Sequence, residues 1–223
     1  MNFYISKEVS ELGIHVAGVV ISDCDNTTPF FQWEEYKEKA IVELLTFYQN
    51  YDYQHDPILK GFYQLHEKVH VKRRKNLPAP ENLIRLLLKH QDLFHVNPIV
   101  DCYNIISLRS KLALGAHDID SINGDVTLRF TNGDEYFLPL GQKEPKKVAS
   151  GEYSYIDDSN EIICRFEIRQ VEKTKVTERS KNIFFIVQGN ENTSIDYVKQ
   201  TAEDLITLIT NFFGGKGQII NLI

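Results

Sequence analysis

The chain changes period near residue 122, and this change constrains its fold more than any single motif does. Ahead of it lie segments with helical spacing and helix-start signals; beyond it lie short apolar runs separated by turn residues. In "GDVTLRFTNGDEYFLPL" two strand-like runs flank Asn132 and Gly133, a dipeptide suited to the positive φ of a two-residue hairpin. "GEYSYIDDSNEIICRFEI" repeats the arrangement around "DDSN". "NIFFIVQG" is the continuous apolar run expected of a strand covered on both faces. "IDYVKQTAEDLITLITNFFGG" reads as an amphipathic helix stopped by Gly214 and Gly215.

The first half reads differently. After two β-branched runs, "FYI" and "ELGIHVAGVVIS", a helix is expected in "DNTTPFFQWEEYKEKAIVELLTFYQN". Thr28 would be its cap, Pro29 would lie in its first turn, and Glu34 and Glu35 near its positive end. Asp56 and Pro57 start a second helix. "PAPENLIRLLLKHQ" forms a third, with Leu83, Leu86 and Leu87 on one face, and a fourth begins at Asn97 and Pro98. Helices first and strands later predict an α+β fold rather than alternating βαβ units. At 223 residues and 42% hydrophobic content the chain is expected to fold as one domain, residues 1–79 giving its N-terminal strands and helices.

Composition bears on function mainly by exclusion. A net charge of −6 argues against a surface that grips nucleic acid throughout. Two local basic stretches, "KVHVKRRK" and "RQVEKTKVTERSKN", read equally as solvated loops. There is no GxGxxG, Walker-type loop, HExxH or GxSxG. Cys24, Cys102 and Cys164 are odd in number and widely separated, so plain thiols are expected. His66 and His70 stand four apart without a third ligand, and neither a metal nor a cofactor is expected. The start carries no targeting pattern, and "VAGVVI" is too short to span a bilayer, so a cytoplasmic protein without membrane partners is expected.

One segment stands apart. "VDCYNIISLRSKLALGAHDID" begins as an ordinary apolar helix and runs into small and polar residues beyond its end. Together with "DSINGDVTLRF", "EYFLPLG", "KTKVTERSKNIFFIV" and the closing "FFGG", it resembles, in order and spacing, the B3/B4 editing domain of the bacterial phenylalanyl-tRNA synthetase β subunit and its stand-alone relatives. The likeness covers most of residues 80–215. It implies a layered fold with an unusual β-sandwich and flanking helices. It also implies hydrolysis, in trans, of the ester that joins a wrong amino acid to the 3′ end of tRNA, with tRNA and a synthetase as partners.

Matched position by position, the family's helix Asn falls on Asn104 and the Thr before it on Tyr103. The editing His falls on Gly115, while His117 stands where the family has Phe, and Asp118 matches the family Asp. The editing Glu falls near Glu172, with "QV" in place of the preceding Gly-Gly. The resemblance therefore implies Asn104, His117 and Glu172 as catalytic residues, and Tyr103, Gly115, Ala116 and Asp118 as the substrate pocket. Main-chain N–H groups at Gly115 and Ala116 would serve a developing oxyanion, and His117, with an ordinary pKa of about 6.5, would serve as a base. Arg73, Arg74, Arg109, Lys111 and Arg165 are candidate tRNA contacts. Structural roles compete with each of these: Asn104 bonding backbone, His117 on a surface loop, Asp118 and Asp120 capping a turn, Glu172 in solvent. Two further functions stay open, a tRNA- or RNA-binding module without catalysis and a pocket for a free amino acid.

Overall fold

A computed structural model describes residues 1–27, 31–71 and 76–223. It contains two sheets. Five strands in the order β1 (Phe3–Ile5), β4 (Val126–Phe130), β5 (Tyr153–Asp157), β6 (Ile162–Arg165) and β7 (Arg169–Gln170) make one. The other has four, in the order β3 (Ala113–Asp118), β8 (Ile183–Gln188), β2 (Val16–Ser22) and β9 (Lys216–Leu222). β1 runs parallel to β4, and the other pairings within the sheets are antiparallel. The helices are α1 (Lys7–Ser10), α2 (Phe31–Gln49), α3 (Pro57–Lys68), α4 (Ala79–His90), α5 (Pro98–Ser110) and α6 (Ile195–Phe213).

The layering follows from the alternation of side chains along β8. Ile183, Phe185 and Val187 join a cluster with Ile105 of α5 and Leu205 and Ile209 of α6. Phe184 and Ile186 point the other way and meet Val126, Leu128, Tyr153 and Tyr155 of the five-stranded sheet. The order is thus helices, four-stranded sheet, five-stranded sheet: an α+β fold with a β-sandwich covered by helices on one side. Phe3 wedges between the sheets, 6.0 Å from Tyr155 and 5.6 Å from Phe184 between ring centroids. Gly18 makes the room, since a Cβ there would lie 2.7 Å from the Phe3 ring.

Several sequence expectations meet their structural counterparts. Asp56 caps α3 by accepting from the N–H groups of Ile58 and Leu59. β5 and β6 form the hairpin expected around "DDSN". In α4, Ile84 and Leu87 are buried, whereas Leu86 is exposed, so the expected apolar face is rotated. Thr28 and Pro29, expected to start α2, lie outside the described residues.

Two expectations are corrected. Asn132 and Gly133 do turn the chain, with φ +98° at Gly133, but no two-stranded hairpin forms around them. The Glu135 carboxylate takes the N–H groups of Asn132 and Gly133 and the Arg129 guanidinium, so the second arm leaves the ladder. That arm pairs its backbone with the sheet through isolated bridges at Tyr136 and Pro139, while β4 pairs with β5 and β1. The segment beyond α5 is also not a loop. Ala113–Asp118 is β3, an edge strand fixed by β8.

Two buried amides hold the start of α5. Asn97 Oδ1 accepts from the Val100 N–H at 3.1 Å and from Asn26 Nδ2 at 3.3 Å, while Asn97 Nδ2 donates to the Val176 carbonyl at 3.1 Å. Asn26 accepts from the Ile99 N–H and donates to the Thr177 carbonyl. Replacing Asn97 by Ala removes a helix cap and strands buried polar groups, so the expected loss is about 2–4 kcal/mol. In urea titration the midpoint should fall at unchanged slope, and Asn97→Asp, which keeps the cap and loses the donor to Val176, should fall between the two.

Candidate functional site

Three walls enclose a cleft of about 360 Å³. α4 contributes Asn82, Leu83 and Leu86, and α5 contributes Tyr103, Asn104 and Ser107, which share a face through their helical spacing. β3 supplies Ala113, Leu114 and Gly115 between the helices and the β6–β7 hairpin, which brings Cys164, Glu167, Arg169 and Gln170. Tyr155 and Ile186, both buried, also line it.

Of the expected site residues, Tyr103, Asn104 and Gly115 line this one cleft. Among the described residues nothing hydrogen-bonds the Asn104 amide, whereas the neighbouring Ser107 hydroxyl is engaged by the Leu112 carbonyl at 2.7 Å. Tyr103 is nearly buried, which pushes its phenol up to about 12, and Gln170 reaches its hydroxyl. A Cβ on Gly115 would lie 3.0 Å from Gln170 Nε2, so the glycine leaves space that Gln170 borders. β3 pairs through one edge only. On its free edge the Asp118 N–H donates to the Thr174 carbonyl at 2.9 Å. Backbone direction alternates along a strand, so the N–H groups of Leu114 and Ala116 turn to that same edge.

Other expected residues lie elsewhere. His117 is fully buried between the sheets rather than on a loop, its Nδ1 2.8 Å from the Thr174 hydroxyl and its ring 6.5 Å from that of Phe184. Burial pushes its pKa down to about 3, which leaves it unprotonated near neutral pH, and it is not part of the cleft lining. The Ala116 side chain packs in the helix-facing core. Asp118 caps the turn that follows it, accepting from the Asp120 N–H and the Ser180 hydroxyl. Glu172 lies outside the cleft and pairs with Lys175, whose hydrogen bond holds the Glu172 carboxyl below its usual range.

The expected tRNA cations are largely committed to partners. Arg165 grips Glu152 through two nitrogens at 2.7 and 2.6 Å and lies over the Phe137 and Phe166 rings. Lys111 pairs with Asp56 at 3.1 Å above Tyr51, and Arg109 stacks on Tyr36 in a separate groove against α6. Arg73 and Arg74 lie outside the described residues. Arg169, which opens the second basic stretch but is not among the expected tRNA contacts, lies exposed at the cleft rim.

Sequence reasoning also missed Glu167. Its side chain is 2% exposed, lines the cleft, and is held from behind by His66 of α3 at 2.7 Å and by the Tyr153 hydroxyl. Nothing local in "CRFEIRQ" marks it, because its partners come from distant parts of the chain. Among the described residues no group of three potential ligands is placed to hold a metal ion, and no helix is long and apolar enough to cross a membrane.

Comparison with known proteins gives a consistent picture. The family model of the B3/4 domain matches residues 67–211. The chain is 27% identical over 168 residues to the phenylalanine–tRNA ligase beta subunit of Methanococcus vannielii, covering 66% of this chain and 28% of that subunit. The corresponding subunit of Mycoplasma pneumoniae is 32% identical over 119 residues, 53% of this chain and 14% of that one. The chain therefore spans less than a third of these curated relatives. The crystal structure of an N-terminal fragment of the phenylalanyl-tRNA synthetase beta subunit from Pyrococcus horikoshii has a similar fold, with TM-score 0.53 and 15% identity over 97% of this chain and 50% of that fragment.

The buried His117 makes a pH prediction. Its folded pKa of about 3 lies below the unfolded value of about 6.5, so between these limits the unfolded chain binds a proton that the native one refuses. Its contribution to stability is complete above pH ~6.5 and is lost as pH falls, by up to about 1.4 kcal/mol per unit. Denaturation measured from pH 7 to 5 should show a shallower acid loss in His117→Asn, which keeps a polar atom near Thr174 and cannot titrate.

Proposed function

Because the chain belongs to the B3/4 domain family, we propose that it acts on the 3′ aminoacyl end of tRNA and hydrolyses the ester of a mischarged amino acid in trans. The observation that carries this reading is the Asn104 amide, unengaged among the described residues and set in the cleft beside the free edge of β3. A helix side chain with spare donors and acceptor, next to outward main-chain N–H groups, suits a carbonyl that becomes an oxyanion.

An aminoacyl ester is already activated, so water need only be positioned and the developing charge stabilised. Water adds to the carbonyl carbon and gives a proton to solvent, the amide and strand-edge N–H donors receive the negative oxygen, and as the carbonyl re-forms the bond to the ribose oxygen breaks and that oxygen takes a proton from solvent. Asn104 and the N–H group of Leu114 hold the carbonyl in this scheme, with Tyr103 and Gly115 shaping the space around it. His117 and Glu172 have no part in it, given where they lie. The basic run Lys72–Lys75 enters on its sequence alone, ending two residues before the cleft-lining Leu77.

A second reading is a tRNA-binding module without catalysis, favoured by one observation: no imidazole lines the cleft among the described residues. The test is loss of ester from a panel of correctly and incorrectly charged tRNAs. At least one mischarged tRNA should be deacylated faster than in buffer, Asn104→Ala should lower that rate by about 10²-fold, and Glu172→Ala should leave it unchanged. A panel untouched by the wild-type protein overturns hydrolysis, and tRNA affinity that then falls steeply with salt supports the binding module.

A further inference from the structure

We infer that Glu167 makes the inner part of the cleft an ammonium subsite. Its carboxylate belongs to a buried polar cluster that hydrolysis of the ester does not itself require. His66 Nε2 lies 2.7 Å from Oε1, and the Tyr153 hydroxyl donates to Oε2. His66 Nδ1 is buried and has no hydrogen-bond partner. A carboxylate oxygen can only accept, so the imidazole donates from Nε2 to Glu167, and this is the ring's one polar contact. Burial likewise keeps the Tyr153 phenol protonated, its pKa pushed well upward.

The carboxylate is therefore oriented by two hydrogen-bond donors, and among the described residues no lysine or arginine pairs with it. Two of its roughly four acceptor directions are used. A buried carboxylate is costly unless a cation meets it, and the nearby lining offers aromatic surface from Tyr103 and Tyr155, which also attracts cations. An anionic or acylated group there would face the carboxylate unpaired. The ligand chemistry that completes the cluster is a primary ammonium, and on the reading proposed above, on which this inference rests for its substrate, that group is the α-ammonium of the aminoacyl ester. Glu167 is then a binding residue, and His66 and Tyr153 are positioning residues behind it.

Calorimetric titration of the full chain tests this without any hydrolysis, using L-alaninamide, L-leucinamide and L-tyrosinamide against their N-acetyl forms. At least one amide should bind, with its N-acetyl form weaker by about 10- to 100-fold. Glu167→Gln should erase that preference, His66→Ala should reduce it, and His66→Gln, which restores a donor to Oε1, should recover it; Glu172→Gln should leave it intact. Equal binding of the two forms by the wild-type protein, no binding of any amide, or a preference that survives Glu167→Gln overturns the subsite. The two proposals fail separately. If a mischarged tRNA and its N-acetylated form are deacylated at the same rate, hydrolysis stands and the ammonium subsite falls. If amides bind selectively while no tRNA is deacylated, the subsite stands and hydrolysis falls.

Discussion

Every residue of β8 is buried, and the rest of the structure is arranged around that strand. It pairs with β2 along one side and with β3 along the other, and its two faces serve different cores. A slip of one residue would send Phe184 and Ile186 toward the helices and Phe185 and Val187 toward the second sheet, so the register is tightly specified. The Tyr155 hydroxyl, donating to Gln188 at 2.6 Å, adds a polar marker to the same register. β3 takes its own alignment from this strand, which sets Gly115 opposite Ile186 and so fixes where the cleft opens.

Local chemistry was legible in the sequence, and chemistry completed from afar was not. The Asp56 and Asn97 caps bond main-chain groups within three residues, and the sequence showed both. "NG" misled because Glu135 captures the turn's donors, a side-chain competition that a two-residue signal does not carry. β3 went unread because Gly, Ala, His and Asp have little strand preference, and its conformation is imposed by pairing with β8. β9, past the glycines that end α6, is likewise defined by β2 rather than by its own pattern.

The site divides along the same line. Asn104 and Gly115 were reached by matching positions against the family's motif, and α5 and β3 set both on the cleft. Glu167 could not be read locally, since it follows Phe166, which turns the hairpin at φ +54°, and meets a histidine 101 residues earlier in the chain. A cation's presence in the sequence does not show its partner, and Arg165 and Lys111 illustrate how a carboxylate elsewhere decides what a cation can do.

The contact between His66 and Glu167 also bears on how the protein comes into being. On a ribosome the amino-terminal part emerges first, so α3 is made long before the hairpin that its imidazole supports. β2 waits as well: its partners are β8 and β9, and until these are synthesised the apolar run from Val16 to Ile21 has no sheet to enter. Contacts this distant in sequence slow folding and leave apolar surface uncovered in the interval, which is when chaperones are engaged. A nascent chain thus carries its helices early and its cleft late, and a premature stop anywhere before β8 yields a product with neither core closed.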